Sequence, residues 1–299
     1  MKTTRLASAL GAEVRGFSLD EVGPAEAKAI EALLIEHMVL LLPDQHPTVA
    51  SHTAFGRHFG RLEGHPHLSN PFEKAVEIFE LAATHGGIAD EWHSDITFRD
   101  EPSVMSILHM VKCPEVGGDT LWSNMYEAYE QLSAPMRDLC DGLTALHDAA
   151  PHGKPEDMSI HPVVRVHPVT GRKSLFVNEH FTRRIVELSH EESDTLLRYL
   201  TRWVTSPRFT FRYRWKQGTM AMWDNRCTQH FVLNDFEEER IIQRVTVMGD
   251  RPEGIGAPRW EPYARTNQAG ATSRYDLQLN RFLDRRLQSL ESNRKTGDS

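Results

Sequence analysis

Apolar positions along the chain fall mostly in short runs with strand-like spacing, and only a few stretches carry the spacing of a helix. Residues 12–17 alternate loosely and read as a strand. Pro24 opens a helical segment through His37, with Ile30, Leu33, Leu34 and Met38 on one face. Residues 39–42 are wholly apolar and stop at Pro43-Asp44, the pattern of a short buried strand. Residues 50–59 are helical, with Phe55 and Phe59 one turn apart. Residues 102–112 carry Val104, Met105, Ile107, Leu108, Met110 and Val111 and read as a second buried strand. A Gly117-Gly118-Asp119 turn then leads into a strand at 120–122.

Further on, 125–143 reads as a helix broken at Pro135, and 149–160 is rich in Pro, Gly and charge and reads as a loop. Residues 163–166 and 174–177 flank Thr170-Gly171 and predict a hairpin. Residues 191–203 form a helix with Leu196, Leu197, Leu200 and Trp203 as its stripe. Strands follow at 209–215, 219–223 and 241–248. After Arg251-Pro252 the composition changes: 253–270 is loop-like, and 273–291 has the pattern of a charged helix. Many short strands with a few outer helices indicate a mainly β fold, a sandwich or barrel core with flanking helices. There is no internal repeat, G-x-G-x-x-G or P-loop, so nucleotide-fold readings lack support.

The 299 residues suffice for a sizeable core. A net charge of −8 gives no reason to expect nucleic acid or an acidic membrane surface as a partner. The three cysteines, Cys113, Cys140 and Cys227, are far apart and odd in number. They are not a disulfide framework and fit a reducing compartment. No apolar run is long enough for a bilayer, and the N-terminus lacks the apolar stretch of a signal peptide. A cytoplasmic protein is expected.

Candidate chemistry begins at Glu91-Trp92-His93-Ser94-Asp95. On a strand, residues two apart share a face, so His93 and Asp95 present an imidazole and a carboxylate together. H-x-D alone is more commonly a solvated strand end. His230, just after a predicted strand, offers a third ligand. Two histidines and one carboxylate leave three positions of an octahedron open, the arrangement of non-haem iron(II) oxygenases. Arg240 and Arg244 lie four apart on one strand and share a face. Each guanidinium fork matches a carboxylate or sulfonate, and the alternative is a pair of exposed surface charges.

The motifs at Trp92–Phe98 (WHSDITF), Gly117–Trp122 (GGDTLW), His161–Pro168 (HPVVRVHP), Trp223–His230 (WDNRCTQH) and Arg240–Thr246 (RIIQRVT) resemble the taurine dioxygenase family, in order and spacing, from about residue 5 to 252. The resemblance implies a double-stranded β-helix (jelly roll), a single oxygenase domain over 1–252 and an extension over 253–299. It implies iron(II) on His93, Asp95 and His230, with 2-oxoglutarate and O₂ as co-substrates. Thr120 and Arg240 would hold the distal carboxylate of 2-oxoglutarate. His65, Ile96, Phe181 and Arg244 would contact the primary substrate, a small organic anion. Hydroxylation beside a sulfonate, as in taurine, would yield an aldehyde and sulfite, with succinate and CO₂. Alkyl sulfates and aryloxyalkanoates are alternative substrates, and a dimer or tetramer is the expected assembly.

Three departures bear on the substrate. Leu68 stands where the taurine enzymes carry a substrate-contacting tyrosine, Ala89 where they usually carry asparagine, and the stretch from Asp148 to His161 is shorter than theirs. A missing polar partner changes selectivity by orders of magnitude. Among the remaining histidines, His65 and His67 form H-x-H, a zinc pattern if taken alone. His161 and His167 sit beside prolines and suit turns, while His85, His147, His152 and His180 read as surface or packing residues. Cys227 reads as a small buried hydrophobe. Two other readings of the triad are a zinc hydrolase and a non-catalytic protein sensing 2-oxoglutarate or an anion.

Overall fold

A computed structural model of the chain describes residues 1–67, 77–83 and 89–263. The apolar runs form the middle of an eight-stranded sheet, where Met220–Asp224, Ser103–Lys112 and Arg240–Met248 lie side by side. Val39–Leu42, Ala12–Arg15 and Lys2–Arg5 continue it in one direction. Leu62–Glu63 and Ile78–Ala83 both pair with Arg240–Met248 on the other side. All pairings are antiparallel except that between Ala12–Arg15 and Val39–Leu42.

Both faces of this sheet are covered, which is why its central strands read as nearly continuous apolar runs. Alternate residues separate the faces. Met105, Ile107, Met220, Met222, Val245 and Val247 pack against Ile30, Leu34 and Phe55 of the helices Pro24–His37 and Val49–Arg57. Leu108, Met110, Ala221, Trp223 and Ile242 point the other way, onto Trp122 and Trp215. Trp122 belongs to a three-stranded sheet in which Thr120–Asn124 is flanked by Thr210–Tyr213 and Thr228–Val232. A second small sheet joins Thr182–Ile185, Thr144–Ala149 and Lys154–Pro162, and a hairpin pairs Val164–Val166 with Lys173–Leu175. The helices Met125–Glu130, Ala134–Asp141 and His190–Trp203 close a third apolar cluster around Val163, Leu175 and Phe209. The architecture is the expected jelly roll with flanking helices.

Two local expectations are corrected. The helix over 125–143 breaks at 131–133, and Pro135 sits in the first turn of the second helix, where its missing N–H costs nothing. The 149–160 stretch is not a loop: a 3-10 turn at Ala150–His152 leads into the strand Lys154–Pro162. That strand is an edge whose exposed residues, Lys154, Glu156 and Asp157, are charged, and there Pro155 is tolerated. Its pairing partner, Thr144–Ala149, is buried from Ala145 on.

Beyond Pro252 the backbone returns to the body. Glu253 accepts from Val166 N–H, Arg259 N–H donates to the Gly142 carbonyl and Tyr263 N–H to the Val186 carbonyl. The helix expected over 273–291, Leu68 and His85 lie outside the described residues. Among the described residues, no helix is long and apolar enough to cross a membrane.

Candidate active site

His93 and His230 meet through their backbones before their rings do anything. His93 N–H donates to the His230 carbonyl at 3.1 Å and His230 N–H returns the bond at 2.8 Å. This isolated antiparallel bridge brings the ring centroids to 4.1 Å. His230 itself is registered opposite Trp122, and its ring lies 4.8 Å from that of Trp223. His93 Nδ1 contacts the Glu91 carbonyl oxygen at 2.7 Å. A carbonyl only accepts, so the proton sits on Nδ1 and the Nε2 lone pair is free for a metal. That Nε2 is 3.9 Å from Asp95 Oδ1.

The H-x-D motif does not lie along a strand, as the spacing suggested. His93 occupies the bridge, and a turn starts at Asp95. Ile96 adopts φ 48°, which a β-branched residue reaches only at a cost of order 1–3 kcal/mol. Side chains of other segments hold the aspartate. Ser106 Oγ donates to Asp95 Oδ2 at 2.6 Å, and Asn225 Nδ2 donates to Ser106 Oγ at 3.0 Å. Asn225 Oδ1 accepts from Asp95 N–H at 3.3 Å and from Trp223 Nε1 at 3.0 Å. His161, expected in a turn, lies on the Lys154–Pro162 strand, and its Nε2 reaches the carbonyls of Thr97 and Arg99.

Electrostatics leave these three side chains in states that suit metal ligation. Burial pushes the Asp95 carboxyl upward, but the Arg244 guanidinium, helped by the Ser106 hydrogen bond, outweighs it and keeps the group ionised. Burial, then the neighbouring His230, pulls the His93 imidazole well below its usual range. Burial likewise holds His230 down to about 4. An anionic carboxylate beside two neutral imidazoles is the donor set a divalent metal takes. The potential ligand atoms all lie within 4.8 Å of one another, and His230 Nδ1 is buried without a hydrogen-bond partner.

The cluster opens into a cavity of about 770 Å³, mouth included. Thr120, Arg240, Arg244, His65, Ile96 and Phe181, named from sequence, all line it. Arg240 is the most exceptional of them. Its Nε donates to the Gly118 carbonyl at 3.3 Å, while Nη2 is buried with no partner. No carboxylate among the described residues neutralises it, and burial lowers its pKa to about 10. A bare buried cation is expensive unless an anion binds it. Gly118, at φ 69°, lets the chain pass this close, since a Cβ there would sit 3.2 Å from Arg240 Cδ. Thr120 Oγ1 accepts from Trp215 Nε1 at 2.9 Å.

Arg244 is registered opposite Phe79 and lies 4.7 Å over that ring, its Nη1 donating to Asp95 Oδ1 at 2.8 Å. Burial, then Arg244, keeps His65 neutral down to about 3. Sequence reasoning missed Phe79, Ser106 and Asn225, and it placed His152 and His180 among surface or packing residues. Both of those histidines line the cavity. His180 Nδ1 pairs with Glu91 Oε2 at 2.6 Å, and its ring is 5.4 Å from that of His93. Neither has a partner at ligand spacing in the sequence, so nothing local distinguished them from the other histidines.

A second buried group, His167, Asp224 and Cys227, also has metal-like proximity. Its members are already engaged. His167 Nε2 bonds Asp224 Oδ2 at 3.0 Å, its Nδ1 accepts from Val169 and Thr170 N–H, and Arg226 donates to Asp224 from its backbone N–H, Nε and Nη2. It is a structural network, in keeping with the turn role expected of His167.

Two imidazoles and one carboxylate on a jelly-roll wall, opening into a cavity with an unneutralised cation, define a metal-dependent oxygenase of the 2-oxoglutarate class. The family model described as "Taurine catabolism dioxygenase TauD, TfdA family" matches residues 2–246, and the chain belongs to that family. It is a 2-oxoglutarate-dependent dioxygenase, a class that uses 2-oxoglutarate, O₂ and a metal ion. The chain is 35% identical over 273 residues to an α-ketoglutarate-dependent sulfate ester dioxygenase of Pseudomonas putida, covering 84% of this chain and 90% of that one. It is 34% identical to an alkylsulfatase of Acinetobacter baylyi, covering 85% and 87%. The crystal structure of a taurine dioxygenase from Burkholderia xenovorans superposes with TM-score 0.78 at 36% identity, covering 85% of this chain and 91% of that one.

Proposed function

We propose that the protein uses Fe(II), 2-oxoglutarate and O₂ to hydroxylate the carbon beside the head group of a small organic sulfonate or sulfate ester. The products are an aldehyde with sulfite or sulfate, together with succinate and CO₂. The observation that carries this reading is the pair of buried guanidiniums, Arg240 and Arg244, lining one cavity with His93, Asp95 and His230. Two anions, one per cation, are what such a reaction needs.

In this reading His93, Asp95 and His230 hold the iron, which when bound supplies the O₂ activation. Arg240 and Thr120 take the distal carboxylate of 2-oxoglutarate. Arg244 and His65 face the substrate's anion, while Ile96 and Phe181 pack its carbon chain and exclude water. Among the described lining residues the sole carboxylate is Asp95, already bonded to Arg244. The ammonium of taurine would find no acidic partner there, and Ala89, Leu81 and Val232 add apolar surface. An alkyl sulfonate or alkyl sulfate therefore suits the cavity better than taurine. A single domain over 1–252 with an extension to 299, a cytoplasmic location and a dimer or tetramer belong to the same reading; light scattering measures the last.

The test has two parts. Anaerobic Fe(II) with 2-oxoglutarate should give a weak visible charge-transfer band in the metal-replete protein, and its absence counts against the scheme. A panel of sulfonates, alkyl sulfates and aryloxyalkanoates, with succinate as readout, should then show activity on at least one small sulfur oxyanion. Confinement of activity to the aryloxyalkanoates would replace the substrate assignment.

A further inference from the structure

His152 sits at the end of the Ala150–His152 turn, and it lines the cavity. The turn is clamped in place. Ala150 N–H donates to Asp148 Oδ1 at 3.0 Å, Arg183 Nε donates to the same oxygen at 2.8 Å, and Arg183 Nη2 reaches the His180 carbonyl at 2.6 Å. The His152 ring packs among others, 5.0 Å from His65 and 5.8 Å from Phe181. Its Nε2 is nevertheless buried with no hydrogen-bond partner, as is Nε of Arg244. A buried polar atom without a partner costs about 1–3 kcal/mol unless a ligand completes it.

Arg244, His65 and His152, from three segments of the chain, thus line the same cavity. Arg244 and His65 both lean on Phe79, with the guanidinium 4.7 Å from the ring centroid and the His65 ring at 6.0 Å. His65 Nδ1 accepts from His67 N–H at 3.2 Å, so its proton is on Nε2. His152 reaches the cavity from the turn between Thr144–Ala149 and Lys154–Pro162, and its Nε2, when protonated, is a donor. A carboxylate presents two oxygens in one plane, which a single guanidinium fork engages. A sulfonate or sulfate presents three oxygens on a tetrahedral centre and can use donors arriving from separate directions.

We propose that His152 is a specificity-determining residue, its Nε2–H giving the third donor to a three-oxygen head group and selecting sulfonates and sulfate esters over carboxylates. This rests on the proposed reading of the cavity as the oxygenase substrate site. With a carboxylate bound, His152 Nε2 stays unsatisfied, and the penalty appears as discrimination.

The experiment compares 1-hexanesulfonate, hexyl sulfate and hexanoate on the iron- and 2-oxoglutarate-loaded protein. It measures anaerobic Kd as well as kcat and KM by succinate release. Wild type should favour the two sulfur oxyanions. His152→Phe keeps a ring of similar breadth but no donor, and should cut the sulfonate-to-hexanoate ratio of kcat/KM by about tenfold to a hundredfold, mainly through KM and Kd. His152→Gln restores a donor and should recover most of that ratio. An unchanged ratio in His152→Phe, an equal loss for all three probes in both variants, or a wild-type preference for hexanoate overturns the proposal. If none of the probes binds the wild type, or Arg244→Ala binds them as well as wild type does, the cavity reading falls and His152's role with it.

Discussion

Arg244 donates from Nη1 to Oδ1 of Asp95 across 2.8 Å, so the cation proposed for the substrate's anion already braces a proposed metal ligand. Both side chains are buried, 10% and 5% exposed. Breaking a buried pair leaves an uncompensated charge, typically at a cost of about 3–5 kcal/mol. Arg244→Ala should therefore lose stability of that order in denaturant titrations of the metal-free protein, as well as raising KM for a sulfur oxyanion. Lysine keeps the charge but not the fork and should recover only part of either property. A fully stable, fully active Arg244→Ala protein would refute both roles.

Ser106 and Asn225 hold Asp95 without facing the cavity. Outer partners of this kind are worth about tenfold to a hundredfold in metal affinity. Ser106→Ala should weaken Fe(II) or Mn(II) binding by that factor while leaving the apparent KM for 2-oxoglutarate at saturating metal within a few-fold. Calorimetric metal titration under anaerobic conditions is the check.

Arg240 is a buried cation with an orphaned Nη2, so the protein bears a cost for it in the absence of an anion. Arg240→Met, which fills similar volume without the charge, should be more stable than wild type by about 1–2 kcal/mol in ligand-free protein. It should also lose 2-oxoglutarate binding and the charge-transfer band. Destabilisation by the substitution would show that Arg240 is structural.

Metal removal should be visible in stability alone. A ligand at about 100 times its Kd adds about 2.7 kcal/mol to the folded state, a few degrees in Tm. Divalent metal should raise Tm of the chelator-treated wild type by that much, and His230→Ala should abolish the rise.

His52 is fully buried, its Nε2 3.1 Å from the Ile107 carbonyl and its Nδ1 unpartnered, and burial lowers its pKa to about 3. Burial lowers His161 to about 4. Both are neutral when folded, whereas the unfolded chain binds their protons below about pH 6.5. Their contribution to stability is full above that pH and is lost as pH falls toward 3–4. The slope of unfolding free energy between pH 6.5 and 4 should flatten in His52→Gln, which keeps a donor for Ile107 without titrating. An identical slope would refute the assignment.

Much of the fold was readable from the chain because its causes are local. The buried strands at 39–42 and 103–112 announce themselves by continuous apolar residues, and the helices by their stripes and, for the first, by Pro24 at its start. Arg240 and Arg244 were legible as a same-face pair because strand alternation is a local rule. The strand at Lys154–Pro162 was not legible, because a polar edge strand takes its identity from the neighbour it pairs with.

Alone, then, the sequence determined the jelly-roll class, its family and the residue types of the proposed metal and two-anion site. Tertiary structure decided how those residues meet. The His93–His230 bridge, the Ser106–Asn225 brace on Asp95, and the arrival of His152 and His180 at the cavity all join segments distant along the chain. No spacing rule encodes such contacts, because they exist only once the sheets have packed and each buried polar group has found, or still lacks, its partner.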